Sequence, residues 1–194
     1  MIARNLDDET LLVHALGGGA LPFAGGIATL LAMETPDLAR ELHLGPAGAQ
    51  RFAAAVELGR RAAVAEVELP KSLCGGGDVA AWLRPRVAGE HTECFYAIYL
   101  TAKGGVVNHR RISEGTLTAS LVHPREVFAP AIMHRAAAVI VAHNHPSGDP
   151  YPSAEDRATT ARLKRAGSLL GVKLLDHVVV AGGRYTSFLE QGWL

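Results

Sequence analysis

The chain has 194 residues, 48% of them hydrophobic, which is enough for a medium α/β domain with a small helical one attached. Its formal net charge is zero, split as net −4 over residues 1–70 (five arginines, nine acidic residues) and net +4 over residues 71–194, so neither part has the basic excess of a typical duplex-DNA binder. No apolar run approaches the ~18 residues of a membrane span, residues 1–9 lack the charged and apolar regions of a signal peptide, and two cysteines outside any CxxC pair build no disulfide framework, so a reducing, cytoplasmic home fits.

The first 66 residues read as helical. Leu6 and residues 10–13, 30–32 and 52–58 fall in helix-period segments, broken by Gly17-Gly18-Gly19 and Gly25-Gly26. Thr35-Pro36 opens a helix, with proline suited to the first helical position. Residues 50–65, rich in Ala, Glu, Leu and Arg, form another. The domain boundary is expected near Pro70, giving a small helical domain over 1–70 and an α/β domain over 71–194.

In the second part, residues 78–86 predict a short helix that Pro85 disturbs. Residues 93–100, apolar with aromatic and β-branched side chains, predict a strand, and Lys103-Gly104-Gly105 turns the chain into a second over 106–112. A third strand is expected over 115–122. His123-Pro124 starts a helix reaching about Ala137 that Pro130 should kink. Residues 138–142 predict a buried strand, 144–152 a Pro/Ser/Gly loop, and Ser153 a helix stopping near Gly171. Residues 172–175 and 177–181 predict two strands, with a turn at Gly182-Gly183.

The chemistry concentrates at His143-Asn144-His145-Pro146 and Ser153-Ala154-Glu155-Asp156. Histidines two apart at a strand end point to the same face. The next helix returns Asp156 towards them in its first turn. Two imidazoles and a carboxylate, at roughly 2.0–2.2 Å from a metal, make a three-ligand zinc site whose fourth position is open, the mark of a catalytic rather than a structural site. Each part has a plainer reading: Ser153-x-x-Asp156 is also a capping box, and His-x-His alone is weak in a chain with nine histidines. An HNH-nuclease reading is disfavoured because that fold spreads its histidines over a hairpin and a helix. A nucleotide-deaminase site is disfavoured because there is no Pro-Cys-x-x-Cys.

The pattern His143-x-His145-Pro146, then Ser153-x-x-Asp156, resembles the JAMM motif of JAB/MPN metalloproteases. The strings HNHPSG, PSAED, LDHVVVAGG and the terminal GWL resemble the bacterial RadC family, densely over residues 72–194 and less so over 5–61. The resemblance implies an MPN (JAB)-type mixed sheet with flanking helices, preceded by a small helical domain. It implies Zn2+ on His143, His145 and Asp156, and hydrolysis of a peptide or isopeptide bond in a protein or peptide substrate. It further implies an upstream glutamate as general base. Glu93 and Glu90 are the candidates, and Glu93 is preferred because it abuts the strand segment Cys94-Phe95-Tyr96. Ser153 would stabilise the oxyanion with zinc. His177, beside Asp176, is expected to be structural, with a role behind the ligands or towards substrate as the alternative.

In RadC-like proteins the front end resembles a helix-hairpin-helix, here Leu42-His43-Leu44-Gly45-Pro46-Ala47-Gly48. His43 stands where that pattern has its first glycine, Gly48 where it often has a lysine, and Pro46 offers no backbone donor. With the net −4 charge these departures argue against DNA binding and for a helical packing or docking module. Two functional readings stay open: a JAMM-type zinc metallopeptidase, and a non-enzymatic MPN-like interaction or DNA-repair-associated module that retains a metal. The intact set His143, His145, Ser153, Asp156 favours the first.

Overall fold

The computed structural model describes residues 7–16, 29–30, 33–66, 71–115 and 122–194. The chain divides into two compact units, Met1–Ala65 and Glu66–Leu194. Leu6, the Gly17–Gly19 and Gly25-Gly26 breaks, the exit segment at 67–70 with its Pro70 boundary, and most of the strand expected over 115–122 lie outside the described residues.

In the first unit, α1 (Asp8–Ala15) begins where the Asp7 carboxylate accepts the Thr10 N–H at 2.8 Å. Helices α2 (Thr35–Glu41) and α3 (Pro46–Glu66) follow, the latter starting four residues earlier than its composition suggests because Pro46 fits a first turn. Leu30, Leu38, Leu42 and Phe52 form a small buried core. Between α2 and α3 the chain ends the helix with two hydrogen bonds, His43 N–H to Arg40 C=O and Leu44 N–H to Ala39 C=O. This is a Schellman arrangement, whose left-handed residue is usually glycine. Here it is His43, at φ 50°. The Schellman stop of α2 is thus formed at a histidine instead of the usual glycine.

The second unit is built on a five-stranded mixed sheet in the order β2-β1-β3-β4-β5: β1 (Glu93–Leu100), β2 (Val106–Gly115), β3 (Ala138–Asn144), β4 (Lys173–Ala181) and β5 (Arg184–Ser187). All neighbours are antiparallel except β3 and β4. A parallel pair needs a crossover, and α6 (Ala154–Leu170) supplies it. One face of the sheet packs Tyr96, Ile98, Ala142 and Val178 against Val79, Trp82 and Leu83 of α4 (Gly76–Leu83). The other packs Phe95, Tyr99, Val139 and Val141 against Val127 and Phe128 of α5 (Pro124–Met133) and Leu163 of α6. Among the described residues no helix is long and apolar enough to cross a membrane.

Five expectations need correction. Strand β2 runs on to Gly115 instead of ending at Ile112, because Ser113, Glu114 and Gly115 still pair with Phe95, Cys94 and Glu93. Strand β3 runs to Asn144 instead of Ala142, because His143 and Asn144 still pair with Val179 and Val180. Helix α5 stops at Met133 rather than near Ala137, because Ala136 N–H bonds back to Ala131 C=O while Arg135 takes φ 52°. This is the same Schellman stop, again without glycine. The strands expected over 172–175 and 177–181 are one strand, β4. Its interior Asp176 does not break it, because the carboxylate accepts from His177 N–H, Leu189 N–H and the Ser187 hydroxyl at 2.7, 2.9 and 2.6 Å. Finally, α4 begins at Gly76, two residues before Asp78, and Pro85 sits in a 3-10 turn (Arg84–Arg86) after it. A Cβ on Gly76 would lie 2.7 Å from the Ser187 Cβ, so only glycine lets α4 approach the sheet there.

Candidate metal centre

The centre lies where β3 ends under the start of α6. His143 is the sixth residue of β3 and is buried; its main chain pairs with Phe95 of β1 and Val179 of β4. The Phe95 ring stacks on its imidazole, centroids 5.7 Å apart and 13° between planes. His145 follows two residues on. Its N–H is taken by Val180 C=O at 2.8 Å, so the main chain is held to β4 beyond the end of the strand. Asp156 arrives from the first turn of α6. Ser153 caps that helix: its hydroxyl accepts the Asp156 N–H at 3.1 Å, while the Asp156 carboxylate accepts the Ser153 N–H at 2.8 Å. The capping box and the carboxylate placement are therefore one device.

The three side chains converge. His143 Nε2 lies 2.9 Å from His145 Nε2 and 3.1 Å from Asp156 Oδ1, and His145 Nε2 lies 3.2 Å from Asp156 Oδ2. The protonation of each imidazole follows from what its other nitrogen touches. His145 Nδ1 faces the Asp149 carbonyl at 2.8 Å, so it carries a proton and donates. For His143 the argument runs through two more residues. The Thr160 hydroxyl meets the Asp156 carbonyl at 2.7 Å and must donate to it, a carbonyl being no donor. The same hydroxyl meets His177 Nδ1 at 2.6 Å and therefore accepts there. Burial pushes the His177 imidazolium well below the ordinary histidine value, so the ring is neutral with its one proton on Nδ1. Its bare Nε2, 2.9 Å from His143 Nδ1, accepts the proton of that atom. With both rings neutral, the two Nε2 atoms are bare lone pairs facing each other and a carboxylate. In that state three acceptors converge with no donor among them, an arrangement that a cation at their centre, a proton or a metal ion, satisfies.

The electrostatics agree. Burial works against ionising Asp156, but hydrogen bonding to His143 and His145 outweighs it and holds the carboxyl far below the usual carboxylate range. At His145 burial lowers the pKa, and the bonds to Asp156 and to the Asp149 carbonyl outweigh it and raise it. A proton drawn to this point stands where a metal ion fits, and the three ligand atoms all lie within 4.8 Å of one another.

Glu93, the first residue of β1, is half-buried. It shares strand parity with Phe95, so its side chain belongs to the face carrying His143, and its charge acts on His145. Glu90 lies in the turn before the strand, and its charge is felt by Tyr96 instead. The Ser153 hydroxyl donates to Asp156 Oδ2 at 2.7 Å, the oxygen that faces His145. His177, expected to be structural, places its ring directly behind His143, clamped by Phe188 stacked at 4.9 Å and 17°. Thr160 was not singled out by the sequence reading. Its signal is its position four residues after Asp156, on the same helical face. His123 caps α5, and His134 pairs with Asn108 at 2.8 Å.

A model described as the RadC-like JAB domain matches residues 75–193. The chain belongs to the RadC-like JAB domain family. It is 48% identical over 171 residues to a UPF0758 protein of Symbiobacterium thermophilum, covering 88% of this chain and 73% of that protein. It is 41% identical over 172 residues to one of Trichlorobacter lovleyi (89% and 75%), and 43% identical over 179 residues to one of Rubrobacter xylanophilus (92% and 78%). The mixed five-stranded sheet with flanking helices matches the JAB/MPN α/β fold, and in this RadC-like domain His143, His145 and Asp156 form a group able to hold a metal ion.

Proposed function

We propose that this chain is a zinc-dependent hydrolase of the JAMM type that cleaves a peptide or isopeptide bond. The observation that carries the reading is the convergence of two Nε2 atoms 2.9 Å apart beside a carboxylate, each ring oriented by the hydrogen bond of its other nitrogen, which leaves Nε2 free for a metal in the neutral imidazole. Two imidazoles and one carboxylate suit zinc and leave a position for water. The carboxylate and His145 are partly open to solvent, as a site for an outside substrate needs. When bound, zinc supplies a Lewis acid for the scissile carbonyl and a water acidified towards ~7.

The chain's own residues supply the rest. Glu93 takes the proton of the attacking water on its carboxylate and hands it to the leaving amine. Ser153, held in place by the Asp156 N–H, turns its hydroxyl proton from Asp156 Oδ2 to the oxygen of the reacting carbonyl as charge gathers there. His177 and Thr160 keep the His143 proton on Nδ1, away from the metal side. The test is a screen of the zinc-loaded chain against a peptide and isopeptide library, with wild type, Glu93→Gln and Glu90→Gln compared. Cleavage should stop with a chelator and fall by roughly two to four orders of magnitude in Glu93→Gln, with zinc retained. Loss in Glu90→Gln instead moves the base to Glu90. No cleavage by fully zinc-loaded wild type would favour the non-enzymatic module.

A further inference from the structure

The residue between the two histidines is not a spacer. Asn144 is buried, 5% exposed, and both ends of its amide are used. Its Oδ1 accepts the Cys94 N–H at 2.7 Å, and its Nδ2 donates to the Thr92 carbonyl at 3.0 Å. These two main-chain groups flank Glu93.

The reason lies in how β3 ends. Phe95 pairs with His143, so Cys94 stands opposite Asn144. At the next residue the His145 N–H turns to Val180 of β4 rather than to β1. The main-chain pairing of β3 with β1 therefore stops at Phe95, two residues short of Glu93. A side-chain amide carries the same donor and acceptor as a peptide unit, and Asn144 uses it to continue the ladder along β1. The strand holding the metal ligands thus grips the backbone on both sides of Glu93.

We propose that Asn144 is a positioning residue for Glu93: through paired hydrogen bonds to Thr92 and Cys94 it fixes the height of the Glu93 carboxylate over the metal position. The inference rests on the reading of Glu93 as the base. It separates Asn144 from its neighbours, since the ligand rings are fixed independently by Asp149, His177 and Phe95. Loss of the amide should release Glu93 while leaving metal binding alone.

The experiment uses the full zinc-loaded chain and acetohydroxamic acid, a metal-binding probe that gives up its N–OH proton on chelation and binds more tightly where a nearby carboxylate takes that proton. Binding is measured by calorimetry for wild type, Glu93→Gln, Asn144→Ala and the double variant, with zinc content and thermal melting recorded for each. Asn144→Ser, which keeps a polar atom in the buried position, serves if alanine unfolds the chain. Glu93→Gln should weaken the probe by roughly ten- to a hundredfold, the worth of one hydrogen bond to a charged group. Asn144→Ala should weaken it by the same factor with zinc retained, and the double variant should lose no more, because Asn144 acts only through Glu93. Additive losses, wild-type probe binding in Asn144→Ala, or loss of zinc from Asn144→Ala would each overturn the proposal. Wild-type probe binding in Glu93→Gln would instead remove the base assignment, and this proposal with it.

Discussion

Thr160→Val removes one hydroxyl and keeps the side-chain volume. The hydroxyl joins the two halves of the metal centre, donating to the Asp156 carbonyl and accepting from His177 Nδ1. Thr160 is 3% exposed and His177 0%, so no water replaces it. In the valine variant the Nδ1 proton of His177 has no acceptor. The ring relieves this by carrying its proton on Nε2, where it donates to His143 Nδ1. His143 must then carry its own proton on Nε2, the atom that faces Asp156 and His145. Zinc binding has to reverse both shifts and leave a buried N–H unpaired, at about 1–3 kcal/mol. At about 1.4 kcal/mol per tenfold, zinc should bind roughly 5- to 150-fold more weakly. Competition against a chromophoric chelator measures this, with Thr160→Ser as the control that keeps the hydroxyl and should bind like wild type. Equal affinity in wild type and Thr160→Val, with the fold intact, would refute the tautomer argument.

Zinc affinity should fall with pH. Zinc needs neutral His145, whose pKa is raised above the ordinary 6.5, so the proton competes from above that value downward and affinity drops by about tenfold per pH unit below it. In the metal-free protein the sign is opposite: the His145–Asp156 contact stabilises the fold most between the ordinary carboxylate value of 3.8 and the ordinary histidine value of 6.5, and its contribution is lost as pH rises through the raised His145 value, which melting curves across pH should follow. Gly167→Ala should cost about 1–3 kcal/mol by overpacking, since the new Cβ would run into the Val172 carbonyl oxygen and sit 3.0 Å from Phe128; an unchanged melting temperature would contradict the close approach of α6. Residues 1–70, with net −4 charge, should bind duplex DNA no better than ~10⁻⁴ M at physiological salt. The anisotropy titration uses the full chain, where affinity beyond that limit must disappear as salt rises, and micromolar binding that survives physiological salt would contradict it.

The parts of the fold legible in the sequence are those specified by contiguous residues. The run Glu93–Leu100 is a strand because its apolar, β-branched and aromatic residues leave no other local choice. The His-x-His spacing and the Ser153–Asp156 box brought three side chains able to hold a metal together because strand parity and a helix cap each act over two or three residues. What stayed hidden depends on partners far along the chain. The single strand β4 tolerates Asp176 only because Ser187 and Leu189 donate to it. The ring of His177 became a support for His143 through a sheet register that no local pattern displays. The stop of α5 was invisible because Arg135 occupies the left-handed position where glycine would have marked it. His43 in the left-handed position hides the stop of α2 in the same way.

The central claim is that His143, His145 and Asp156 hold one zinc ion. Elemental analysis of the purified chain and of His145→Ala, both refolded with equal zinc and dialysed together, tests it most directly. The account predicts one zinc per chain in wild type and a small fraction of that in His145→Ala, with the fold of the variant retained. Equal zinc in the two proteins, or none in wild type, would contradict it.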